Sequence, residues 1–286
     1  VETTTIRSWA ELQQALFADM WNGELNRFRS PFLFRGVGQA RYDLVPSLRR
    51  LGGRYWELER HVLRNFRKYA HRSTVPHDDD WNWLALGQHH GLPTRLLDWT
   101  YSPYVALHFA TAEVSSYDQD GAIIMANYRR MAHSLPGGLQ HPLTRDGSHV
   151  LTAELLREYA GSLEELDAKS SEHGEEWVCF FEPPSLDDRI TNQFAVFSMA
   201  SHPRLDLSTW FAERPEFARK LIIDRDLKWE IRDKLDQANV TERVLFPGLD
   251  GLSRWLARHY MSPIDAHLRA NDSGWSAQQE IPPTQD

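Results

Sequence analysis

Residues 89–111 read His-His-Gly-Leu-Pro-Thr-Arg-Leu-Leu-Asp-Trp-Thr-Tyr-Ser-Pro-Tyr-Val-Ala-Leu-His-Phe-Ala-Thr, the most strongly patterned stretch of the chain. Gly91 and Pro93 are turn formers, one free to take unusual backbone angles and the other fixed in φ. The short run 94–98 that follows has the length and apolar content of a strand. Ser102 then offers a hydroxyl to the free N–H groups of a helical first turn. Pro103 sits where its missing N–H costs nothing, and Val105, Ala106 and Phe109 supply an apolar face. The stretch predicts a strand, a turn and a helix in immediate succession. A strand end that feeds a helix N-terminus leaves backbone N–H groups pointing outward, which makes it a common ligand position.

Upstream, residues 8–21 place Ser8 and Glu11 at capping-box spacing with Leu12, Leu16 and Met20 at steps of four, and Gly23 marks the expected stop of that helix. Pro31-Phe32-Leu33-Phe34 predicts a short buried strand that ends in a turn at Arg35-Gly36. Residues 55–70 predict a helix with Leu58, Val62, Phe66 and Tyr69 on its apolar face, and 80–88 another. Downstream, 121–126 reads as a buried strand, 152–160 as a helix and 161–175 as a polar loop. Strands are expected at 177–181, 194–199 and 219–223, then a helix capped by Asp224 through about 238 and a last helix at 249–260. Residues 264–286 read as a polar tail. With no internal repeat and no long linker, residues 1–263 are expected to form one α+β domain: a helical N-terminal layer over 8–90, and C-terminal elements 219–260 packed on it.

The 286 residues are 41% hydrophobic and 25% charged, enough to bury a core without staples. One cysteine, Cys179, excludes a disulfide framework and multi-cysteine metal sites, and its apolar strand argues for a buried, unreactive thiol. No run approaches the roughly eighteen apolar residues of a membrane span and residues 1–20 lack a signal-peptide layout, so a cytoplasmic protein without a membrane partner is expected. The net charge of −8 argues against a general nucleic-acid coat. Residues 1–74, however, hold 13 Lys and Arg against 7 Asp and Glu, a basic N-terminal layer that suits an anionic ligand. Serine-hydrolase elbows, Walker loops and Rossmann glycine patterns are all missing from the sequence.

Several residues could carry chemistry. Arg35, followed by Gly36, could hold a phosphate or ribose hydroxyl close to the main chain; the alternative is a surface arginine paired with a carboxylate. Asp98-Trp99-Thr100 sets a carboxylate, a stacking ring and a hydroxyl side by side, or else marks an Arg95–Asp98 ion pair beside a core tryptophan. His89 and His90 lack a second pair at metal-ligand spacing, so no metal is expected; one of them could donate to, or stack near, a ligand carbonyl. Asp78-Asp79-Asp80 reads as a solvated loop or a helix N-terminus. Gln193, leading a strand, has an amide able both to donate and to accept.

Phe34-Arg35-Gly36, the run Gly87-Gln88-His89-His90-Gly91-Leu92-Pro93-Thr94-Arg95-Leu96-Leu97-Asp98-Trp99-Thr100, then Pro103 and Ala106-Leu107-His108-Phe109-Ala110, resemble the FRG domain family, named for its Phe-Arg-Gly tripeptide. Arg189-Ile190-Thr191-Asn192-Gln193 with Phe197, and Leu245-Phe246-Pro247-Gly248-Leu249-Asp250-Gly251-Leu252, resemble its C-terminal half, so the likeness spans about residues 8–260. The order of these motifs is also similar to that of ADP-ribosyltransferases that split NAD⁺. That second resemblance implies an ADP-ribosyltransferase-like split-sheet core with a helical N-terminal layer and appended C-terminal strand and helices. It implies NAD⁺ as substrate and a protein or nucleic-acid target, in a bacterial toxin or antiphage defence effector. Catalysis would fall to Arg35, Asp98, Thr100 and Gln193, and NAD⁺ binding to Arg35, Gly36, His90, Trp99 and Thr100. Gln193 stands where those enzymes carry a glutamate; it keeps the hydrogen bond and lacks the charge, which Asp98 or Asp188 would have to supply. The other readings are a non-catalytic nucleotide- or nucleic-acid-binding module on the same fold, and a nuclease or hydrolase using His89, His90 and Asp98.

Overall fold

Nine strands order the chain in the computed structural model, which describes residues 1–70, 75–174, 176–185 and 187–261. They are β1 (Glu2–Ile6), β2 (Trp21–Asn22), β3 (Arg27–Phe28), β4 (Phe32–Val37), β5 (Leu97–Thr100), β6 (Gly121–Asn127), β7 (Val178–Phe181), β8 (Ala195–Ala200) and β9 (Ala218–Ile223). β2 and β3 form a small hairpin; the other seven make one mixed sheet in the order β1-β9-β6-β4-β5-β8-β7, antiparallel except for the β1–β9 edge. The α+β class expected from the sequence is therefore what forms. The polar tail at 264–286 lies outside the described residues.

The sheet is one hydrogen-bonded unit rather than two separate sheets, yet it is open at one seam. β4 pairs with β6 along all six of its residues but with β5 only at Phe34↔Thr100. Beyond that pair the two strands diverge. The packing explains the seam. Alternation sends Leu33, Leu97, Trp99, Ile124, Val178 and Val196 to one face, where a single apolar cluster spans the sheet. The opposite face is covered by two separate packs. Helices Trp9–Leu16, Pro103–Ala110 and Lys228–Gln237 cover Phe32, Phe34, Ile123 and Leu221. A second helical pack, built around Trp81, Trp83, Leu139 and Leu166, covers Cys179, Phe181, Phe197 and Met199. The boundary between the packs falls over β5, and there the sheet face is left open.

Several expectations change. Arg35 and Gly36 lie inside β4, paired with Ile124 and Ile123, not in a turn after it. β5 starts later and runs further than 94–98 because Trp99 and Thr100 pair with Val196 and Ala195. The first helix stops at Leu16, and Met20 packs from the segment beyond it. In the helix Tyr55–Tyr69 the buried line is Tyr55, Glu59 and Leu63, while Leu58 and Tyr69 face solvent. A charged residue occupies the inward face, and of the expected apolar face Phe66 does pack against the core beside Trp83. Glu59 is there to meet Arg95, whose guanidinium is bound by Glu59 and Asp167 rather than by Asp98. Residues 161–175 are not a loop: Leu163–His173 is a helix capped by Ser162, and it delivers Leu163, Leu166 and Asp167 to the interior. β1 and the short helices Tyr128–Ala132, Gly137–Arg145, Asp188–Asn192 and Leu207–Ala212 were not anticipated.

Burial pushes the Cys179 thiol up to about 12, which keeps it protonated. The acidic run caps the helix Asp80–His89: Asp79 accepts the Asn82 N–H, and Asp78 pairs with Arg67. At the C-terminal end, Arg258 binds both Asp236 and Glu242, and the buried Lys228 donates to the carbonyls of Gly38 and Ser116 at 2.7 Å each. These contacts join the C-terminal helices to one another and tie the first of them to the segments at Gly38 and Ser116.

Candidate functional site

The open seam holds a cleft of about 600 Å³ between the two helical packs. β4 brings Arg35 and Gly36 to it, β5 brings Asp98 and Thr100, and the end of the helix Asp80–His89 brings His89 and His90. The helix Asp188–Asn192 brings Arg189, and its C-cap before β8 brings Gln193. Residues as far apart as 35 and 193 therefore share one cavity, which no local reading could establish.

Arg35 alternates with Leu33 and Val37, so its Cβ leaves β4 on the face away from the cleft; its guanidinium turns back at the seam. There Nη1 donates to the Asp98 carbonyl oxygen at 2.5 Å, an acceptor left free because β4 and β5 no longer pair at that level. Burial lowers the Arg35 pKa, with Asp98 opposing and Arg50 adding to the effect. Gly36 has a different reason to be glycine from the one expected. An added Cβ would lie 1.8 Å from the Ala106 carbonyl oxygen and 2.8 Å from the Ala110 nitrogen, so the helix Pro103–Ala110 rests directly on its Cα. Close helix-to-strand approach by itself requires a glycine there, and the residue also lines the cleft.

Asp98 is exposed, and its carboxylate is oriented from one side: Gln88 Nε2 donates to Oδ2 at 2.9 Å, while Gln88 Oε1 accepts from the Thr94 hydroxyl. Trp99 points the other way. It is 3% exposed, meets Phe180 edge-on at 5.4 Å between ring centroids and donates its indole N–H to Ser198. Its ring is core and is not free to stack on a ligand, which corrects the expected role. Thr100 is also buried, and its hydroxyl donates to the Gln193 carbonyl at 2.7 Å. Gln193 Nε2 donates to the Leu245 carbonyl at 2.8 Å. Both groups line the cleft, but their donors brace its floor against the C-terminal segment.

His90 is exposed at the mouth, its ring edge-on to that of His89 at 5.0 Å. His89 Nε2 lies 2.5 Å from Asp187 Oδ2. Burial lowers its pKa and Asp187 works in the opposite direction. Among the described residues no group of three or more His, Cys, Asp or Glu could hold a metal ion, and no helix is long and apolar enough to cross a membrane. Sequence reasoning missed Gln88 and Arg189 as contributors to the cleft, and missed the pairing of His89 with Asp187. Arg189 and Gln88 stood inside the quoted motifs, but their distance along the chain from Asp98 and Arg35 hid the connection.

A cleft at a sheet seam, apolar on one wall and carrying arginines with one oriented carboxylate, is this α+β chain's candidate site for a small molecule. The family model of the FRG domain matches residues 30–119. The match covers β4, the helix Asp80–His89, β5 and the helix Pro103–Ala110, each of which contributes residues that line the cleft. No curated protein and no solved structure matches the chain.

Proposed function

We propose that this chain is an ADP-ribosyltransferase-like enzyme that consumes NAD⁺ and modifies a protein or nucleic-acid target, as a toxin or defence effector does. The observation that carries the reading is the meeting of Arg35, Asp98, Thr100 and Gln193 in one cleft at the opened seam of the sheet. The cavity's volume lies within the range of about 300–1,000 Å³ usual for small-molecule sites. Its arginines suit the ligand's phosphates.

NAD⁺ supplies an electrophilic sugar carbon with nicotinamide as its leaving group. Arg35 binds phosphate oxygens. Asp98, held by Gln88, supplies negative charge next to the sugar, the part that Gln193 cannot play, and this is the main catalytic contribution of the chain. Thr100 and Gln193 act through the floor they brace, as positioning residues. The engagement of both those side chains with backbone favours a second reading, a nucleotide-binding module without turnover. Incubation with NAD⁺ separates the two: the enzyme releases nicotinamide and loses that activity in Asp98→Asn, whereas the module is stabilised by ADP-ribose and releases none.

A further inference from the structure

We infer that Arg189 is the second cation of a diphosphate clamp whose other arm is Arg35, so that the cleft takes a nucleoside diphosphate or a ligand built on one. The inference rests on the NAD⁺ reading for its biological ligand and adds a residue and a chemical class to it.

Arg35 and Arg189 are both half-buried and both line the cleft, from β4 and from the helix Asp188–Asn192. Neither has a carboxylate at ion-pair distance among the described residues. Each uses one donor on a backbone carbonyl: Arg35 on Asp98 at 2.5 Å, Arg189 on His89 at 3.4 Å. In each the buried Nε has no hydrogen-bond partner. A guanidinium has five N–H donors, and withdrawing one from water without an anion is costly unless a ligand completes the site. The nearby carboxylates are engaged elsewhere. Asp187 caps its helix at the Ile190 N–H and binds His89, and Asp98 accepts from Gln88. Phe246 supports the Arg189 guanidinium at 5.0 Å from its ring centroid, which holds the planar fork in place. Two guanidinium groups on separate elements provide one fork for each phosphate of a diphosphate. Leu92, Phe109 and Ile190 add an apolar wall for the base.

The test is calorimetric titration of the whole chain with ADP and with adenosine, in wild type, Arg189→Gln, Arg189→Lys and Arg254→Gln. Arg254 packs on the same Phe246 ring at 5.0 Å and does not line the cleft, so it controls for loss of that stacking. Unchanged melting temperature and circular dichroism establish that each variant is folded. The expected result is that ADP binds wild type at least about tenfold more tightly than adenosine does, the scale of one charge-assisted hydrogen-bonded contact. Arg189→Gln removes that advantage and leaves adenosine unaffected; Arg189→Lys restores part of it; Arg254→Gln retains it. ADP bound equally well by Arg189→Gln overturns the clamp alone. ADP bound through Arg189 without nicotinamide release from NAD⁺ supports the clamp and overturns the transferase reading. Wild-type protein that binds neither ADP nor NAD⁺ overturns both.

Discussion

Gly36→Ala isolates why the glycine of the Phe-Arg-Gly tripeptide is needed. The new Cβ would stand 1.8 Å from the Ala106 carbonyl oxygen, whereas Cβ atoms essentially never approach a neighbour closer than 3.0 Å. The helix Pro103–Ala110 must therefore retreat from β4 by at least about 1.2 Å, the difference between these distances. The obstacle is backbone, which cannot swing aside as a side chain can. Ala106, Leu107 and Ala110 are 0% exposed on the inner face of that helix. A radial gap of even 0.5–1 Å forfeits roughly a quarter to a half of each contact's attraction, so the cost should be about 3–5 kcal/mol, above the usual range for overpacking. That is a large part of the roughly 5–15 kcal/mol by which a domain is stable. Urea unfolding followed by tryptophan fluorescence measures it. Gly38→Ala is the reference, since its Cβ would meet only the Ser116 hydroxyl at 3.1 Å, and a cost under about 1 kcal/mol is expected there. A Gly36→Ala protein within about 1 kcal/mol of wild type would refute the packing argument and return Gly36 to a ligand-contact role.

Asp98→Asn should lower nicotinamide release from NAD⁺ by about a hundredfold or more, the usual effect of removing one preorganised electrostatic group. Because Asp98 is exposed, unfolding free energy should change by less than about 0.5 kcal/mol, and a rate within threefold of wild type would remove it from the mechanism. Glu59→Ala leaves the buried Arg95 with Asp167 alone and should cost about 3–5 kcal/mol in urea unfolding; a loss below about 1 kcal/mol would show the interior pair to be dispensable. His108 is fully buried, and burial first, then the adjacent Arg232, lowers its pKa from 6.5 to about 3. The unfolded chain therefore takes up a proton as pH falls below 6.5 while the folded chain does not until about 3, so stability drops across that window. His108→Gln should flatten the dependence of unfolding free energy on pH between 6.5 and 4. An unchanged slope would place its origin elsewhere.

The run 89–111 was legible because its information is local. Ser102 does accept the Val105 N–H, and Pro103 does open the helix, since caps and proline act on the residues next to them. The strands at 121–126 and 177–181 were likewise announced by unbroken apolar runs, and the one at 219–223 by Leu221-Ile222-Ile223 after Arg219 and Lys220. Ser162 and Glu165 carried a capping box of the same kind, and the helix they open shows that polar composition concealed a readable signal. Facing was harder. Glu59 sits on the inward line of its helix because Arg95, 36 residues away, needs a partner in the core.

The sequence by itself determined the α+β class, the candidate residues at the strand ends, and the family resemblance, all of which follow from short-range pattern. Only the tertiary structure decided which of those residues line a common cleft. It turned Trp99 into the core, used Gly36 for helix packing, set Thr100 and Gln193 to bracing the floor, and brought Arg189 into the same cleft as Arg35. The physical reason is the seam. Two helical packs that cannot both cover β5 leave the sheet open there, and that depends on the packing of the whole chain rather than on any one segment of it.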